Sequence, residues 1–273
     1  MKNIGTLVRK HNVKPTLNLL YIVPAVVLLA GIAAIAVAMS KVPAQEHTYY
    51  YVGMVLLAIL AIILLAARAA NLPKYSFERY ENGLKIIYRK AKTPDESYVF
   101  DDITEIWNCS TNGGKHANHL AFKTSESDYK LISPKYVGYK SLMRNLSESY
   151  LKDILPNKST ALMHGDRLVF PMLEVGGEQV LVSEKSIVPY LQKSQKRQLS
   201  VDRFSLFDGL KTYALADIER VEWDKSSEHI VVRSIAGNVL YTQSYFAICN
   251  ADLFLKLSEE ITMRRAEKPE QEI

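Results

Sequence analysis

The chain of 273 residues is poor in several things, and each shortage removes a class of protein. Its two cysteines, Cys109 and Cys249, stand in different regions, so they build neither a disulfide framework nor a four-ligand zinc site. Two isolated thiols fit a reducing compartment. The phosphate loop Gly-x-x-x-x-Gly-Lys-[Ser/Thr] is absent, as are Gly-x-Gly-x-x-Gly, His-Glu-x-x-His and Gly-x-Ser-x-Gly. Ser127–Lys130 and Ser149–Lys152 match Ser-x-x-Lys without the companion motifs that give that pattern meaning.

Charge is missing in two further places. No charged side chain occurs from Leu17 to Met39 or from Thr48 to Ala67. Net charge is also missing beyond Asn71. Residues 1–71 hold six Lys/Arg against one acid, which leaves 28 of the 34 bases and 28 of the 29 acids for the rest. A neutral domain lacks the basic footprint that nucleic acid requires, so no nucleic-acid partner is expected.

What is present begins with those uncharged runs. About 20 helical residues cross a hydrocarbon core, so residues 17–39 and 48–67 are expected to form a transmembrane hairpin, and residues 1–71 a basic N-terminus plus anchor. The first run exceeds the apolar stretch of a cleaved signal peptide. Lys2, Arg9, Lys10 and Lys14 precede the first span, and Arg68 and Lys74 flank the end of the second, with only Lys41 in the loop between. The Lys/Arg bias is expected to place both termini of a multi-pass membrane protein in the cytoplasm. No ionisable group lies within either span, which argues against a pump or transporter. Ala30, Ala34 and Ala38 form a small-residue face on the first span, while Gly53 and Ala61 offer small side chains on the second. This face suits packing within the hairpin or a homo-oligomer seam.

The remainder reads as α+β. Tyr75–Tyr80 and Leu84–Tyr88 flank an Asn-Gly turn, a hairpin signal. Ser97–Phe100, Ile103–Asn108, His119–Thr124 and Asp128–Ile132 continue as strands. Ser133-Pro134 then opens a helix carrying Tyr139, Leu142, Leu146, Tyr150 and Ile154, and Pro156 stops it. Residues 72–156 form a first unit, 157–166 a linker, 167–263 a second unit and 264–273 a charged tail. Strands are expected in the second unit at Arg167–Leu173, Gln179–Val182, Ser186–Leu191, Leu199–Phe207, Leu210–Leu215, Ile218–Trp223, His229–Ile235 and Val239–Ser244. Asn250 caps a last helix with Leu253, Phe254, Leu257 and Ile261.

The units share a pattern. Tyr98-x-Phe100-x-Asp102-Ile103-x-x-Ile106 parallels Tyr213-x-Leu215-x-Asp217-Ile218-x-x-Val221, and Trp107 or Trp223 follows in each. The same element order after both points to duplication. Asp102 and Asp217 suit turn positions, where Asp bonds nearby backbone. Strands closing on one helix with a strand–Asp-Ile–strand step resemble bacterial pleckstrin-homology-like (PH-like) domains, including membrane-tethered YcxB-like proteins. The resemblance implies two tandem PH-like β-barrel or sandwich units, each closed by a C-terminal helix, binding lipids, peptides or proteins. The first unit supplies fewer than the seven strands of that plan.

Two side-chain sets carry chemistry. Cys109, His116 and His119 provide thiolate and imidazole of the kind zinc takes; as part of a polar loop they are ordinary surface residues, and no cofactor is expected. Lys193, Lys196 and Arg197 could meet anionic lipid headgroups or simply decorate a solvated hairpin tip. The leading expectation is a non-enzymatic binding or scaffold protein with a protein or peptide partner. The alternatives are an immunity or defence protein against a membrane-acting toxin, and a membrane-bound metal-dependent hydrolase.

Overall fold

The computed structural model describes residues 3–90, 92–111, 117–173, 183–194 and 196–266. Two apolar helices, α1 (Pro15–Met39) and α2 (His47–Asn71), run side by side, joined by a short 3-10 turn at Ala44–Glu46. Pro15 occupies the first helical turn, where its missing N–H breaks no bond. At about 1.5 Å per residue each helix is about 37 Å long, enough to cross a bilayer core of about 30 Å. Only 6% of the most apolar window of each is buried, so neither is the core helix of a globular body. Ala25 and Ala61 pack at the crossing, and a side chain on Gly53 would meet Ile35. Ala30, Ala34 and Ala38 point outward, so that face does not serve the hairpin. Polar pairs tie the base: Arg68 Nε donates to Asn18 Oδ1 at 3.3 Å and Asn71 Nδ2 to Tyr21 Oη at 3.1 Å.

The segment before α1 departs from the sequence reading. It is strand β1 (Leu7–His11), antiparallel to β2 (Tyr75–Tyr80), with His11 opposite Phe77. The hairpin is thus an insertion between two paired strands, and residues 7–13 belong to the first unit rather than to a separate N-terminus. Two backbone bonds reinforce the junction: Lys14 N–H to Lys135 O and Val137 N–H to Asn12 O, both 2.8 Å. β3 (Gly83–Tyr88) and β4 (Glu96–Val99) complete a sheet of order β1-β2-β3-β4. Gly83 is required there, because a Cβ would stand 2.2 Å from the Tyr98 carbonyl. β5 (Ile103–Cys109), β6 (His119–Thr124) and β7 (Lys130–Ile132) form a three-stranded sheet.

Helix α3 (Tyr139–Met163) follows a left-handed Gly138. Residues 133–137 are not its first turn; they form the turn that pairs Tyr136 with Val13. Nor does Pro156 end it. The expected linker is helical through Met163, because Leu162 is buried and Ser159 Oγ donates to Glu260 at 2.6 Å, and this packing offsets the backbone bond Pro156 removes.

The second unit repeats the scheme. β8 (Leu168–Leu173), β9 (Lys196–Val201), β10 (Ser205–Phe207) and β11 (Thr212–Ala214) make a four-stranded sheet; β12 (Ile218–Asp224), β13 (His229–Ser234) and β14 (Val239–Ser244) make a three-stranded one; α5 (Ala251–Ala266) closes it. Residues 199–207 are two strands because Asp202 turns the chain, accepting from the N–H groups of Phe204 and Ser205. Residues 186–191 are helical, not extended: α4 (Glu184–Lys193) starts at a Ser183/Ser186 capping box and buries Ile187 and Leu191, four apart on one face. The expected strand at 179–182 lies outside the described residues.

The internal match extends to backbone detail. Phe100–Asp102 and Leu215–Asp217 are both single 3-10 turns leading into a strand, and the following ladders shift register at equivalent places, between Ile103 and Glu105 and between Ile218 and Arg220. One continuous core joins the units, from Phe77, Phe122 and Leu146 to Phe170, Leu199, Ile230 and Phe254. A second cluster forms where α4 covers the outer face of β5–β6, with Trp107, Cys109, Ile187, Leu191 and Cys249.

Candidate functional site

Two residues of the candidate metal set, Cys109 and His119, are among the described residues. Cys109 and His119 are opposite one another in the β5–β6 ladder. Burial pushes the Cys109 thiol up to about 12 against the pull of the Ala121 backbone bond. His119 Nδ1 bonds Asn118 Oδ1, and Nε2 lies 3.8 Å from Glu184. His116 lies outside the described residues. Among the described residues no group of three His, Cys, Asp or Glu could hold a metal ion.

The three basic residues do not form one surface. Lys193 ends α4, and Lys196 and Arg197 are successive residues of β9, whose side chains leave opposite faces of the strand. Lys196 turns inward to the seam between units. Its Nζ lies 3.3 Å from Glu105 and 3.0 Å from Tyr129 Oη, over the Trp107 ring at 5.4 Å. Glu105 also accepts from Lys123 at 2.7 Å, from Trp107 Nε1 at 2.9 Å and from Tyr129 Oη. Burial opposes its ionisation, but these donors and the Lys196 charge outweigh burial and hold it at about 2. Lys196 is therefore a structural cation joining β9 to β5.

The residues expected to set topology are partly engaged in the junction. Lys10 pairs with Glu78 at 2.8 Å, Lys14 lies over the Tyr139 ring at 5.4 Å, and Arg68 bonds Asn18. Arg9 stands on β1, Lys74 is exposed and Lys2 lies outside the described residues. Lys135 bridges the two insertions, donating to the Asn71 carbonyl at the end of α2 (2.9 Å) and meeting Glu184 at the start of α4 (3.1 Å).

The seam also contains a cleft that no motif announced. Asn250 is left-handed at φ 54, and its side chain does not cap α5. It crosses to β5 instead. Its amide oxygen accepts from Ile106 N–H at 2.8 Å, its Nδ2 donates to Thr104 O at 3.1 Å, and its own N–H donates to Ile106 O. This staple sets the start of α5 against the middle of α3. Between them opens a cavity of about 400 Å³, with Met143, Leu151 and Ala117 as apolar wall and Asn108 and Asp252 at its base. That volume lies in the range of small-ligand sites, and domain seams are where such sites concentrate.

A buried polar chain supports the base. Asn108 Nδ2 donates to Tyr245 Oη, and Tyr245 Oη donates to Asp252 Oδ1, both at 2.7 Å. Tyr245 is locked by stacking on Trp223, with centroids 4.4 Å apart. Burial raises the Asp252 carboxyl above its ordinary value, more than the bonds from Tyr245 and Asn108 lower it. Sequence reading passed over these residues. An acid in the first turn of a helix is expected for its dipole alone, and no spacing links positions 108, 245 and 252.

A larger cavity of about 700 Å³ opens between β4 and the β6–β7 turn and is rich in carboxylates. Several of these are already engaged: Asp95 by Lys85, Glu96 by Lys130 and Tyr88, Asp128 by Gln192. No family model, curated protein or solved structure matches the chain.

Proposed function

We propose that this is a non-enzymatic binding protein of the bacterial inner membrane, anchored by a two-span hairpin, with both termini in the cytoplasm and two PH-like units presenting a ligand site at their seam. The observation that carries the reading is the insertion of the hairpin between paired strands. Because β1 bonds directly to β2, the two feet of the hairpin are tied to one sheet, and Lys135 clamps the end of α2 to the same body. A body so attached keeps its seam at a defined height above the bilayer, which raises its effective concentration toward membrane partners. Four plus three strands and a closing helix in each unit support the PH-like reading, and β1 supplies the strand that the first unit lacked. The Lys/Arg bias supports the orientation.

The test has two arms. Reporter fusions at residue 45 and at the C-terminus should report opposite sides, with the C-terminus cytoplasmic. A photoreactive amino acid at Ser147, within the cleft, should give a discrete adduct in intact cells that one at exposed Lys225 does not. A periplasmic C-terminus, or equal labelling at both positions, would overturn the proposal.

A further inference from the structure

The cleft is charged in opposite senses at its two ends. At one end stands Asp252, which with Ser147, Leu151 and Asn250 also lines a small second pocket. Tyr245 engages one oxygen of its carboxylate. At the other end Lys140, Arg144 and Glu148 line the mouth, two bases against one acid. Arg144 is held only loosely, 3.8 Å from Glu148 with both side chains largely exposed, and among the described residues Lys140 has no carboxylate within ion-pair reach. All the lining residues of α3 lie on one face at intervals of three and four. From Arg144 to Ser147 and Leu151 the helix rises about 5 to 10 Å. Met143 and Leu151 make the wall between the two ends apolar.

We propose that the cleft binds a dipolar ligand, with an ammonium group against Asp252, an anionic carboxylate against Lys140 and Arg144, and an apolar spacer of about 5 to 10 Å lying on Met143 and Leu151. This deepens the binding reading above and rests on it. An ammonium ion makes a charge-assisted bond with the Asp252 carboxylate, beside the neutral donors Tyr245 and Asn108 that already hold it. The spacer excludes simple α-amino acids, whose two charged groups sit on one carbon, and admits lysine through its ε-ammonium. It fits short peptides, or the lysine side chain and terminal carboxylate at the C-terminus of a protein. A purely cationic ligand would meet Lys140 and Arg144 at the mouth, and a purely anionic one would meet Asp252 at the base, so each alone binds less well.

The full chain in nanodiscs is titrated with 6-aminohexanoate, hexanoate and pentylamine, read by thermal unfolding and by the carboxyl ¹³C shift of Asp252. Saturating 6-aminohexanoate should raise the midpoint by about 3 °C, with hexanoate and pentylamine well below it. The Asp252 carboxyl shift should move on binding. Asp252→Asn, which keeps an acceptor for Tyr245, should abolish the response. Leu151→Trp, which fills the cleft and leaves Asp252 in place, should do the same. Arg144→Ala with Lys140→Ala should erase the preference for the zwitterion over the amine. Adding Ala-Ala-Lys, free or fused at the C-terminus of a carrier protein, separates the two sources: a response to the free peptide alone means a small-molecule site, and a response to both means a protein-terminus site. No response to any probe, or an undiminished response in Asp252→Asn, would overturn the ligand class. If the in-cell adduct at Ser147 persists in that event, the binding reading stands and only its ligand is wrong.

Discussion

The two units answer the same topological question differently. Each has a long connection between its first and second strands. In the second unit that connection contains α4, an amphipathic helix that buries Ile187 and Leu191 against the outer face of β5–β6. In the first unit it contains α1 and α2, of which only Ala25 and Ala61 are buried. One connection folds back onto protein, and the other is long and apolar enough to cross a membrane. The strands on either side are the same in both, antiparallel and hydrogen-bonded to each other. Such a site accepts a large insertion because both ends of the insert emerge from one ladder, so a rigid fixed base replaces the entropy of a long floppy loop.

The sharpest way to break this comparison is to remove β1. A fragment beginning at residue 72 loses the β1–β2 ladder and the bonds from Lys14 and Val137, at ~1 kcal/mol each on the order of 4 kcal/mol in all. It should aggregate or unfold early in urea. Residues 3–13 joined by a short turn to residues 73–266 should be monomeric and cooperative. Equal stability of the two would show that β1 is not part of the first unit.

Next comes the equivalence of the Asp-Ile steps. Ile103 and Ile218 are both buried at the same register shift. Ile103→Ala and Ile218→Ala should each cost about 2–4 kcal/mol and lower one shared transition. Separate melting of one unit would break the single-core picture.

A smaller effect tests the seam. Glu105→Gln should cost about 2 kcal/mol at pH 7, since it leaves Lys196 and Lys123 without their anion. Glu105 is held at about 2, below its ordinary 4.5. Its contribution is therefore complete above 4.5 and lost as pH falls from there toward 2, so wild type and variant should converge across that window. Urea midpoints measured from pH 7 to pH 2.5 give the check. The smallest effect is at the α4 cap. Ser183→Ala should cost about 1 kcal/mol and raise amide exchange in α4 while leaving α1 and α2 unchanged.

The two long apolar helices, the order of most strands and the repeated Asp-Ile step were legible in the residues alone, because each depends on neighbours within a few positions: an uncharged run, a period of two, an Asn-Gly turn. Local period also misled. Ile187 and Leu191 are spaced for a helix, but β-branched neighbours and Pro189 made residues 186–191 read as a strand, and only the face of β5–β6 above which they lie decides the matter. Pro156 looked like a stop, and α5 packing carries the helix past it. β1 was invisible because Leu7, Val8, Arg9 and Lys10 are exposed and only His11 is buried, so no alternation marks a strand whose partner lies beyond two long apolar helices. Lys196 is a surface charge by composition and a seam cation by position, since its anion is Glu105 on another unit. The cleft belongs wholly to tertiary structure. Asn108, Tyr245 and Asp252 meet because Asn250 staples α5 to β5, and a contact between residues more than a hundred positions apart is set by the closing of a core, which no local pattern records.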